Sequence, residues 1–202
     1  MIRRLVLLRH GQTAYNRTQR IQGQFDADLD DTGRAQAIAV APHVAALAPV
    51  VLWSSDLSRA RDTAAAVAAA TGLAPTYDAR LREFGFGDLE GITHAEYAGR
   101  DPGEYARFRQ GDYDAVASAE RTSAVRVRML AALGDLSGLL ADGECAVAVS
   151  HGAAIRVATG AMLGWPDDTF HTLRGLDNCG RVELVDQDGR WRLAAYNRVA
   201  AP

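Results

Sequence analysis

Two histidines in this chain, His10 and His151, each lie one residue beyond an apolar run and directly before a glycine. The apolar runs are residues 5–8 and residues 146–149. A neutral imidazole is a nitrogen nucleophile near neutral pH, and histidine also transfers protons in that range. The two positions are therefore candidates for covalent or proton-transfer chemistry.

Arginines accompany these histidines. Arg9 immediately precedes His10, and Arg59 and Arg61 follow a third apolar run, residues 50–53. Planar guanidinium groups and backbone N–H groups at helix N-termini match the charge and shape of a phosphate group. The combination predicts a phosphate site. Arg61 is expected to lie outside this site as a surface cation.

The three apolar runs must bring these side chains together. Continuous apolar runs that are bounded by polar or glycine residues and followed by helical patterns are typical of buried strands in a parallel sheet. Ligands of such sheets bind outside the carboxyl ends of the strands. The sequence therefore predicts one sheet edge that carries both histidines and the arginines.

The rest of the pattern predicts helices, an insertion and a terminal hairpin. Residues 182–185 and 191–196, joined through an Asp-Gly pair, are typical of an antiparallel hairpin. Residues 92–119 hold many aromatic and charged side chains without a clear period, and we expect them to form a lid over the site. Helices are expected at about residues 32–47, 57–70 and 120–140.

Four segments resemble, in the same order, the sequence blocks of the histidine phosphatase superfamily, which includes the cofactor-dependent phosphoglycerate mutases. An isolated Arg-His-Gly is a weak signal, but four ordered blocks span nearly the whole chain. The resemblance implies a phosphoglycerate mutase-like α/β fold with three α/β/α layers, a mostly parallel central sheet, an antiparallel C-terminal edge and a helical lid insertion. The blocks are residues 8–13 with Asn16, residues 55–64, residues 81–91 and residues 150–152.

The resemblance also implies a catalytic role for each matching residue. His10 would form a phosphohistidine, whereas its alternative role is that of a structural histidine at a strand end. Arg9, Arg59 and His151 would neutralise charge on the phosphoryl group during an in-line transfer. Further groups expected to bind phosphate are the Asn16 side chain and the backbone N–H groups of Gly11 and Gly152.

Glu83 matches the proton donor of the family. The alkoxide of an alkyl phosphate leaves slowly unless it is protonated, so a carboxylic acid near the bridging oxygen is required. The same carboxylate would then accept a proton from the water that cleaves phosphohistidine. The alternative is a solvated glutamate in a charged turn.

A phosphatase and a mutase are distinguished by the residues after this acid. Mutases of the family follow it with Arg-His-Tyr-Gly, where the arginine and the tyrosine help to hold the substrate. Here Phe84, Gly85, Phe86 and Gly87 follow Glu83. Hydrolysis of small phosphorylated metabolites is therefore predicted, with a phosphoglycerate mutase as the alternative.

A third hypothesis is a non-catalytic module that binds a phosphorylated ligand. It would lack a nucleophile, an acid or an arginine of the set, and none of these is missing. The family chemistry needs no metal, and the histidines lack the spacing of a zinc site. We therefore expect neither a metal nor a cofactor.

Two features leave the substrate open. Many phosphatases of the family have Gly-Glu-Ser where residues 119–121 are Ala-Glu-Arg, so substrate contacts near Glu120 are not carried over. Aromatic residues surround the acid and the insertion, where they would line the substrate or pack the lid. They are Phe84, Phe86, Tyr97, Tyr105, Phe108 and Tyr113.

Composition restricts the partners. All 22 positively charged side chains are arginines, and the net charge of -3 gives no support for binding nucleic acid or an anionic membrane. A small phosphorylated substrate is expected, while the oligomeric state is left open. No apolar run approaches the roughly 20 residues of a membrane span, and no signal peptide pattern is present, so a cytoplasmic location is expected.

The chain length predicts a single domain. Residues 1–202 contain no Pro- or Ser-rich linker, and this length suits one α/β core. Cys145 and Cys179 fit no ligand or redox spacing, so both are expected to be packing residues. His43, His94 and His171 match no motif and are not expected in the site.

Overall fold

The computed structural model describes residues 2–200, with a six-stranded sheet at the centre. The strands are β1 (Ile2–Arg9), β2 (Val51–Ser54), β3 (Thr76–Tyr77), β4 (Cys145–Ser150), β5 (Arg181–Gln187) and β6 (Arg190–Arg198). Their spatial order is β3-β2-β4-β1-β5-β6. The first four strands in this order are parallel to one another, β5 is antiparallel to β1, and β6 is antiparallel to β5. The predicted parallel sheet with an antiparallel edge is confirmed.

Seven α-helices connect and cover these strands in the described part of the chain. They are α1 (Ala14–Arg17), α2 (Asp31–Ala45), α3 (Ser58–Thr71), α4 (His94–Arg100), α5 (Pro102–Arg109), α6 (Thr122–Gly138) and α7 (Gly152–Met162). The three helices predicted from the sequence correspond to α2, α3 and α6, with ends that differ by one or two residues. Helix α3 ends at Gly72, whose φ of 75° is in the left-handed region that favours glycine.

Helices pack on both faces of the sheet, which gives the predicted three layers. The buried residues of β1 alternate between the faces, as the period of a strand requires. Leu5 and Leu7 pack in the cluster that contains α6 and α7. Val6 and Leu8 pack in the cluster that contains α2 and α3. Because β1 lies between two packed layers, its carboxyl end is held in a fixed position.

The predicted hairpin is present, and its turn explains its register. Strands β5 and β6 are joined by Asp188 and Gly189, with φ values of 55° and 79°. Two consecutive positive φ values are typical of the tight turns whose twist matches that of the flanking strands.

The insertion at residues 92–119 contains α4, α5 and a short 3-10 helix, Tyr113–Ala115. Helices of seven and eight residues are too short to show a clear period, which explains why the sequence pattern was irregular there. Both begin at a side-chain cap, from Thr93 and from Asp101.

Aromatic side chains fasten the insertion to the domain. The rings of Phe84 and Tyr113 meet edge to face with their centroids 4.9 Å apart, and Phe86 meets Phe108 at 5.4 Å. Tyr97 is also buried and contacts Phe108. Most of these aromatic residues therefore pack the insertion against the domain, which is the second of the two roles that the sequence left open.

Within residues 2–200, no helix is both long enough and apolar enough to cross a membrane.

Candidate active site

A cavity of about 440 Å³ lies beside the carboxyl end of β1 and the start of α7. Six of the eight predicted site residues line it, which are Arg9, His10, Asn16, Arg59, Glu83 and Gly152. Gly11 and His151 do not line it. The Gly11 N–H donates to the Thr63 hydroxyl at 3.1 Å, so it has an internal partner rather than a free position for phosphate.

The His10 imidazole is 3 % exposed and is fixed through one ring nitrogen. Its Nδ1 lies 2.7 Å from the carbonyl oxygen of Gly11. A carbonyl only accepts hydrogen bonds, so Nδ1 carries the hydrogen and Nε2 keeps the lone pair. Burial, together with the positive charges of Arg59 and Arg9, holds the pKa of His10 well below its ordinary value. The ring is therefore neutral at neutral pH, as a nucleophile requires.

The second histidine, His151, lies next to His10, at the N-terminus of α7. The centroids of the His10 and His151 rings are 5.2 Å apart. The Nε–H of Arg59 donates to Nδ1 of His151 at 3.2 Å, so the hydrogen of His151 is on Nε2, which lies 2.8 Å from the Ser55 hydroxyl. Burial and the charge of Arg59 hold the pKa of His151 well below its ordinary value. Both ring nitrogens thus have protein partners, and the ring is neutral.

Arg59 is completely buried at the start of α3. Its Nη1 and Nη2 donate to the carbonyl oxygens of Phe25 and Gly23, each at 2.7 Å. Burial lowers its pKa to about 10, and the charge of Glu83 opposes this change. The guanidinium is therefore charged at neutral pH and held rigidly at the cavity wall.

Arg9, at the end of β1, is half-buried. Its Nη1 donates to the carbonyl oxygen of Leu176, while its Nε is buried without a hydrogen-bond partner among the described residues. A Cβ added at Gly152 would lie 3.4 Å from this Nε, so the guanidinium lies close against the first turn of α7. An anion that reached this point would meet both the Arg9 charge and a helix N-terminus.

Glu83 is held against the same helix. Its Oε1 accepts hydrogen bonds from the backbone N–H groups of Ala154 (2.8 Å) and Phe84 (3.0 Å), and Oε2 accepts one from Ala153 at 3.0 Å. The bonds from Ala153 and Ala154 use N–H groups that the N-terminus of α7 leaves unsatisfied. The carboxyl group is thus oriented in the cavity wall, which Gly152 also lines.

Asn16 is fixed by its carbonyl oxygen. Oδ1 accepts from the backbone N–H of Thr13 at 3.1 Å and from the Asn178 amide at 3.2 Å. This orientation commits the oxygen to internal partners and leaves the NH₂ group as the donor that can act in the cavity.

The segment that carries Glu83 is supported by a residue that the sequence did not single out. Arg128 of α6 donates to the carbonyl oxygens of Arg82 (2.6 Å) and Glu83 (2.9 Å). It also forms a two-pronged ion pair with Glu120, whose Oε2 accepts from the Gly85 N–H at 3.2 Å. The altered segment at residues 119–121 therefore supports the acid-bearing loop from behind.

The sequence analysis did not predict four basic residues that line the cavity, which are Arg20, His94, Arg109 and Arg156. His94 was expected outside the site, and the structure corrects this, because His94, the first residue of α4, lines the cavity. The arginines are among 22, and no motif distinguished them. By contrast Arg61 is exposed and stacks over the Tyr77 ring, as expected of a surface cation. Cys145 and Cys179 are buried and unpaired.

Within residues 2–200, no group of three or more His, Cys, Asp or Glu side chains is arranged to hold a metal ion.

The chain matches the histidine phosphatase superfamily (branch 1) over residues 5–199 and belongs to that family. It is 39 % identical to the glucosyl-3-phosphoglycerate phosphatase of Mycolicibacterium vanbaalenii, with 98 % of this chain and 96 % of the relative covered. The solved structure of a mycobacterial glucosyl-3-phosphoglycerate phosphatase in complex with VO3 superposes with a TM-score of 0.89 at 36 % identity, covering 96 % of this chain and 98 % of the other. A probable phosphoglycerate mutase of Salmonella paratyphi C is 33 % identical, covering 94 % and 88 %.

Proposed function

We propose that this protein is a phosphatase that hydrolyses small phosphorylated metabolites through a phosphohistidine at His10. The observation that carries the proposal is the hydrogen bond from His10 Nδ1 to the Gly11 carbonyl oxygen, which leaves the Nε2 lone pair available in a cavity lined by arginines. The mycobacterial relatives, which are named as phosphatases, support the same activity.

The proposed reaction has two displacements at phosphorus. In the first, Nε2 of His10 forms a bond to phosphorus while the bond to the ester oxygen breaks, and Glu83 gives its proton to the leaving alkoxide. In the second, water attacks the phosphorus, the P–N bond breaks, and Glu83 takes the proton of the water. Inorganic phosphate leaves, and both His10 and Glu83 return to their starting states.

Arginines would supply the positive charge that this transfer requires. Arg9 and Arg59 line the cavity together with His10. Preorganised positive charge stabilises the transferring phosphoryl group. We therefore expect the reaction to proceed without a metal, and activity that persists in EDTA would support this, whereas a requirement for added Mg²⁺ would contradict it.

Neutral His151 would act differently from the sequence-based expectation. With Nδ1 accepting from Arg59 and Nε2 directed to Ser55, the ring carries no charge of its own. We propose that it holds the Arg59 guanidinium in position and offers a hydrogen bond to phosphate only after Ser55 is displaced.

The insertion at residues 92–119 is proposed to act as a lid within a single domain, residues 1–202. It contributes His94, Phe108, Arg109 and Tyr113 to the cavity wall, so any substrate in the cavity would contact it. Specific binding sites combine an apolar surface, such as that of Phe108 and Tyr113, with a few polar groups.

The phosphoglycerate mutase remains the second candidate, because a relative bears that name at 33 % identity. A mutase would pass the phosphoryl group from His10 back to an organic hydroxyl rather than to water. Incubation with 3-phosphoglycerate separates the two activities. Release of inorganic phosphate supports the phosphatase, whereas formation of 2-phosphoglycerate without phosphate supports the mutase.

The experiment that tests the proposal is trapping of the intermediate. The purified protein is mixed with ³²P-labelled substrate, quenched in base and digested. A base-stable, acid-labile label on the peptide that contains His10 is expected, and a label on any other residue would contradict the mechanism. The expected cytoplasmic location and the absence of nucleic-acid and membrane partners remain predictions.

A further inference from the structure

Glu83, the proposed proton donor, lies on an irregular segment of the chain. Residues 82–86 connect two short 3-10 helices, Ala79–Leu81 and Gly87–Leu89, and belong to no strand or α-helix. Backbone hydrogen bonds fix the residues of a helix or a strand, whereas the polar backbone groups of an irregular segment need other partners. The position of Glu83 therefore depends on the side chains that contact residues 82–86, which we call the acid-bearing loop.

Arg128 on α6 supplies most of these contacts. Its Nη1 donates to the carbonyl oxygens of Arg80 (2.9 Å) and Arg82 (2.6 Å), and its Nη2 donates to that of Glu83 (2.9 Å). Its Nε and Nη2 also donate to the two carboxylate oxygens of Glu120, at 2.8 and 2.9 Å. A guanidinium has five N–H groups, so protein partners use all of them. Arg128 also lies outside the cavity wall, and it is therefore not a substrate-binding residue.

Glu120 orients the Arg128 guanidinium and ties it to the other end of the loop. The Glu120 carboxylate forms a two-pronged ion pair, a geometry that adds directional specificity to the attraction. Its Oε2 also accepts from the Gly85 N–H at 3.2 Å, and its backbone N–H donates to the Gly85 carbonyl oxygen at 2.7 Å. The Arg128–Glu120 pair thus contacts the acid-bearing loop on both sides of Phe84.

Glu83 is consequently held from two helices. Its carboxylate accepts from the backbone N–H groups of Ala153 and Ala154 on α7, whereas its carbonyl oxygen accepts from Arg128 on α6. The Gln24 amide is a second donor to the same carbonyl oxygen, at 3.1 Å. Removal of Arg128 would leave the carboxylate bonded to α7 while the main chain that carries it lost its support from α6.

We propose that Arg128 is a positioning residue for acid catalysis, which together with Glu120 sets the location of the Glu83 carboxyl group relative to the ester oxygen of the substrate. This inference rests on the proposed phosphatase function and adds to it a residue that does not touch the substrate. An acid must lie within hydrogen-bond reach of the oxygen that it protonates, about 2.6–3.2 Å. A displacement of about 1 Å can therefore lower the rate by about a hundredfold.

The test compares substrates that differ in their need for an acid. 3-Phosphoglycerate and glycerol 3-phosphate release alkoxides, which require a proton, whereas p-nitrophenyl phosphate releases a phenolate that leaves without one. Phosphate release gives kcat/KM for each, and the alkyl-to-aryl ratio of these values reports the contribution of the acid. We expect Arg128→Gln to lower this ratio by about tenfold or more. A purely structural role would lower all three values in proportion, and an unchanged ratio would overturn the proposal.

Arg128→Lys separates geometry from charge. Lysine keeps the positive charge but has three donors on a single nitrogen, which cannot reproduce the five bonds of the guanidinium. We therefore expect Arg128→Lys to show the same selective loss, and a ratio restored by lysine would overturn the positioning role. Glu120→Gln should give a smaller loss, because an amide offers only one oxygen to the guanidinium. If Arg128→Gln does not fold, these two variants provide the same comparison.

A double variant tests whether Arg128 acts through Glu83. When Arg128→Gln is added to Glu83→Gln, the ratio should equal that of Glu83→Gln alone, because no acid remains to be positioned. A further fall in the ratio would overturn the proposal. Arg126→Gln is the matched control, since Arg126 lies on the same helix but pairs with Asp167, and its ratio should equal that of the unmodified protein. A fall in Arg126→Gln equal to that in Arg128→Gln would contradict the assignment.

Failure of this inference is distinguishable from failure of the proposed function. Hydrolysis of all three probes by the unmodified protein, with an unchanged ratio in Arg128→Gln, would contradict only the positioning role. Absence of phosphate release from every probe by the unmodified protein would contradict the phosphatase and the positioning role with it.

Discussion

The Nε–H of Arg59 donates to Nδ1 of His151 at 3.2 Å, and this one contact determines the protonation of the second histidine. A ring nitrogen that accepts a hydrogen bond cannot carry a hydrogen, so Nε2 is protonated and is directed to Ser55. The histidine of the His151-Gly152 pair thus provides a neutral ring that orients the buried Arg59. Positive charge at the site comes from the guanidiniums.

The Ser55 hydroxyl should be necessary for this arrangement. In Ser55→Ala the Nε2–H of His151 would lose its partner in a fully buried position, which costs roughly 1–3 kcal/mol for an unsatisfied buried group. We expect a kcat lower by about tenfold or more and a lower free energy of unfolding. Steady-state kinetics and urea unfolding measure both. Ser123→Ala, at an exposed serine of α6, is the control, and equal kinetics in the two variants would contradict this role.

The free energy of unfolding should depend on pH because His10 and His151 are buried. Their pKa values in the folded state lie well below the 6.5 of an unperturbed histidine, so the unfolded chain binds more protons below that pH. The contribution of the two histidines to the free energy of unfolding is therefore complete above pH 6.5 and is lost as the pH falls below this value. Each histidine adds up to about 1.4 kcal/mol per pH unit to the slope of unfolding free energy.

Urea unfolding between pH 5 and 7, run on the unmodified protein and on His10→Ala, measures this slope. The variant should show a shallower dependence because one buried imidazole is gone. Identical slopes would show that His10 takes up a proton in the folded state as readily as in the unfolded chain.

Glu83→Gln should separate substrates by their leaving groups. Glutamine keeps the shape of the side chain but cannot give a proton to an alkoxide, a contribution of roughly 10²–10⁴-fold. Alkyl phosphates should therefore lose far more kcat than p-nitrophenyl phosphate, whose phenolate leaves without protonation. Asp88→Asn, in an exposed position of the same segment, is the control. Equal losses with alkyl and aryl substrates would show that Glu83 does not act as the acid.

Gly33 should be required for the conformation of the backbone segment that follows His10, because there is no room for a side chain at this position. A Cβ at Gly33 would lie 2.0 Å from the carbonyl oxygen of Gln12, so Gly33→Ala must displace the segment next to His10. We expect a loss of roughly 1–3 kcal/mol in unfolding free energy together with reduced activity. Gly134 is also helical but has nothing within 4 Å of an added Cβ, so Gly134→Ala should be neutral or stabilising by up to about 1 kcal/mol. Thermal unfolding compares the two variants, and equal stabilities would contradict the steric argument.

Much of the fold was predictable because its signals are local. The apolar runs of β1, β2 and β4 are continuous, and Gly72 and the Asp-Gly turn have the conformations that their residue types favour. Strand β3 has two residues and α1 has four, so neither is long enough to produce a period.

The site was only partly predictable, for a physical reason. Arg9, His10 and Glu83 lie in recognisable motifs at chain positions that one sheet edge brings together. His94, Arg109 and Arg156 come from three separate helices, and their approach to the cavity depends on how the insertion packs. The hydrogen bonds of Gly11 and His151 likewise depend on tertiary neighbours, namely Thr63 for Gly11 and Arg59 and Ser55 for His151, which no motif indicates.

The most direct test of the central claim is the release of inorganic phosphate from p-nitrophenyl phosphate and a panel of phosphorylated acids, without added metal, by the unmodified protein and by His10→Ala. The account predicts release by the unmodified protein and none above background by the variant, whose folded state is verified by circular dichroism. Substantial release by His10→Ala would contradict a phosphohistidine mechanism.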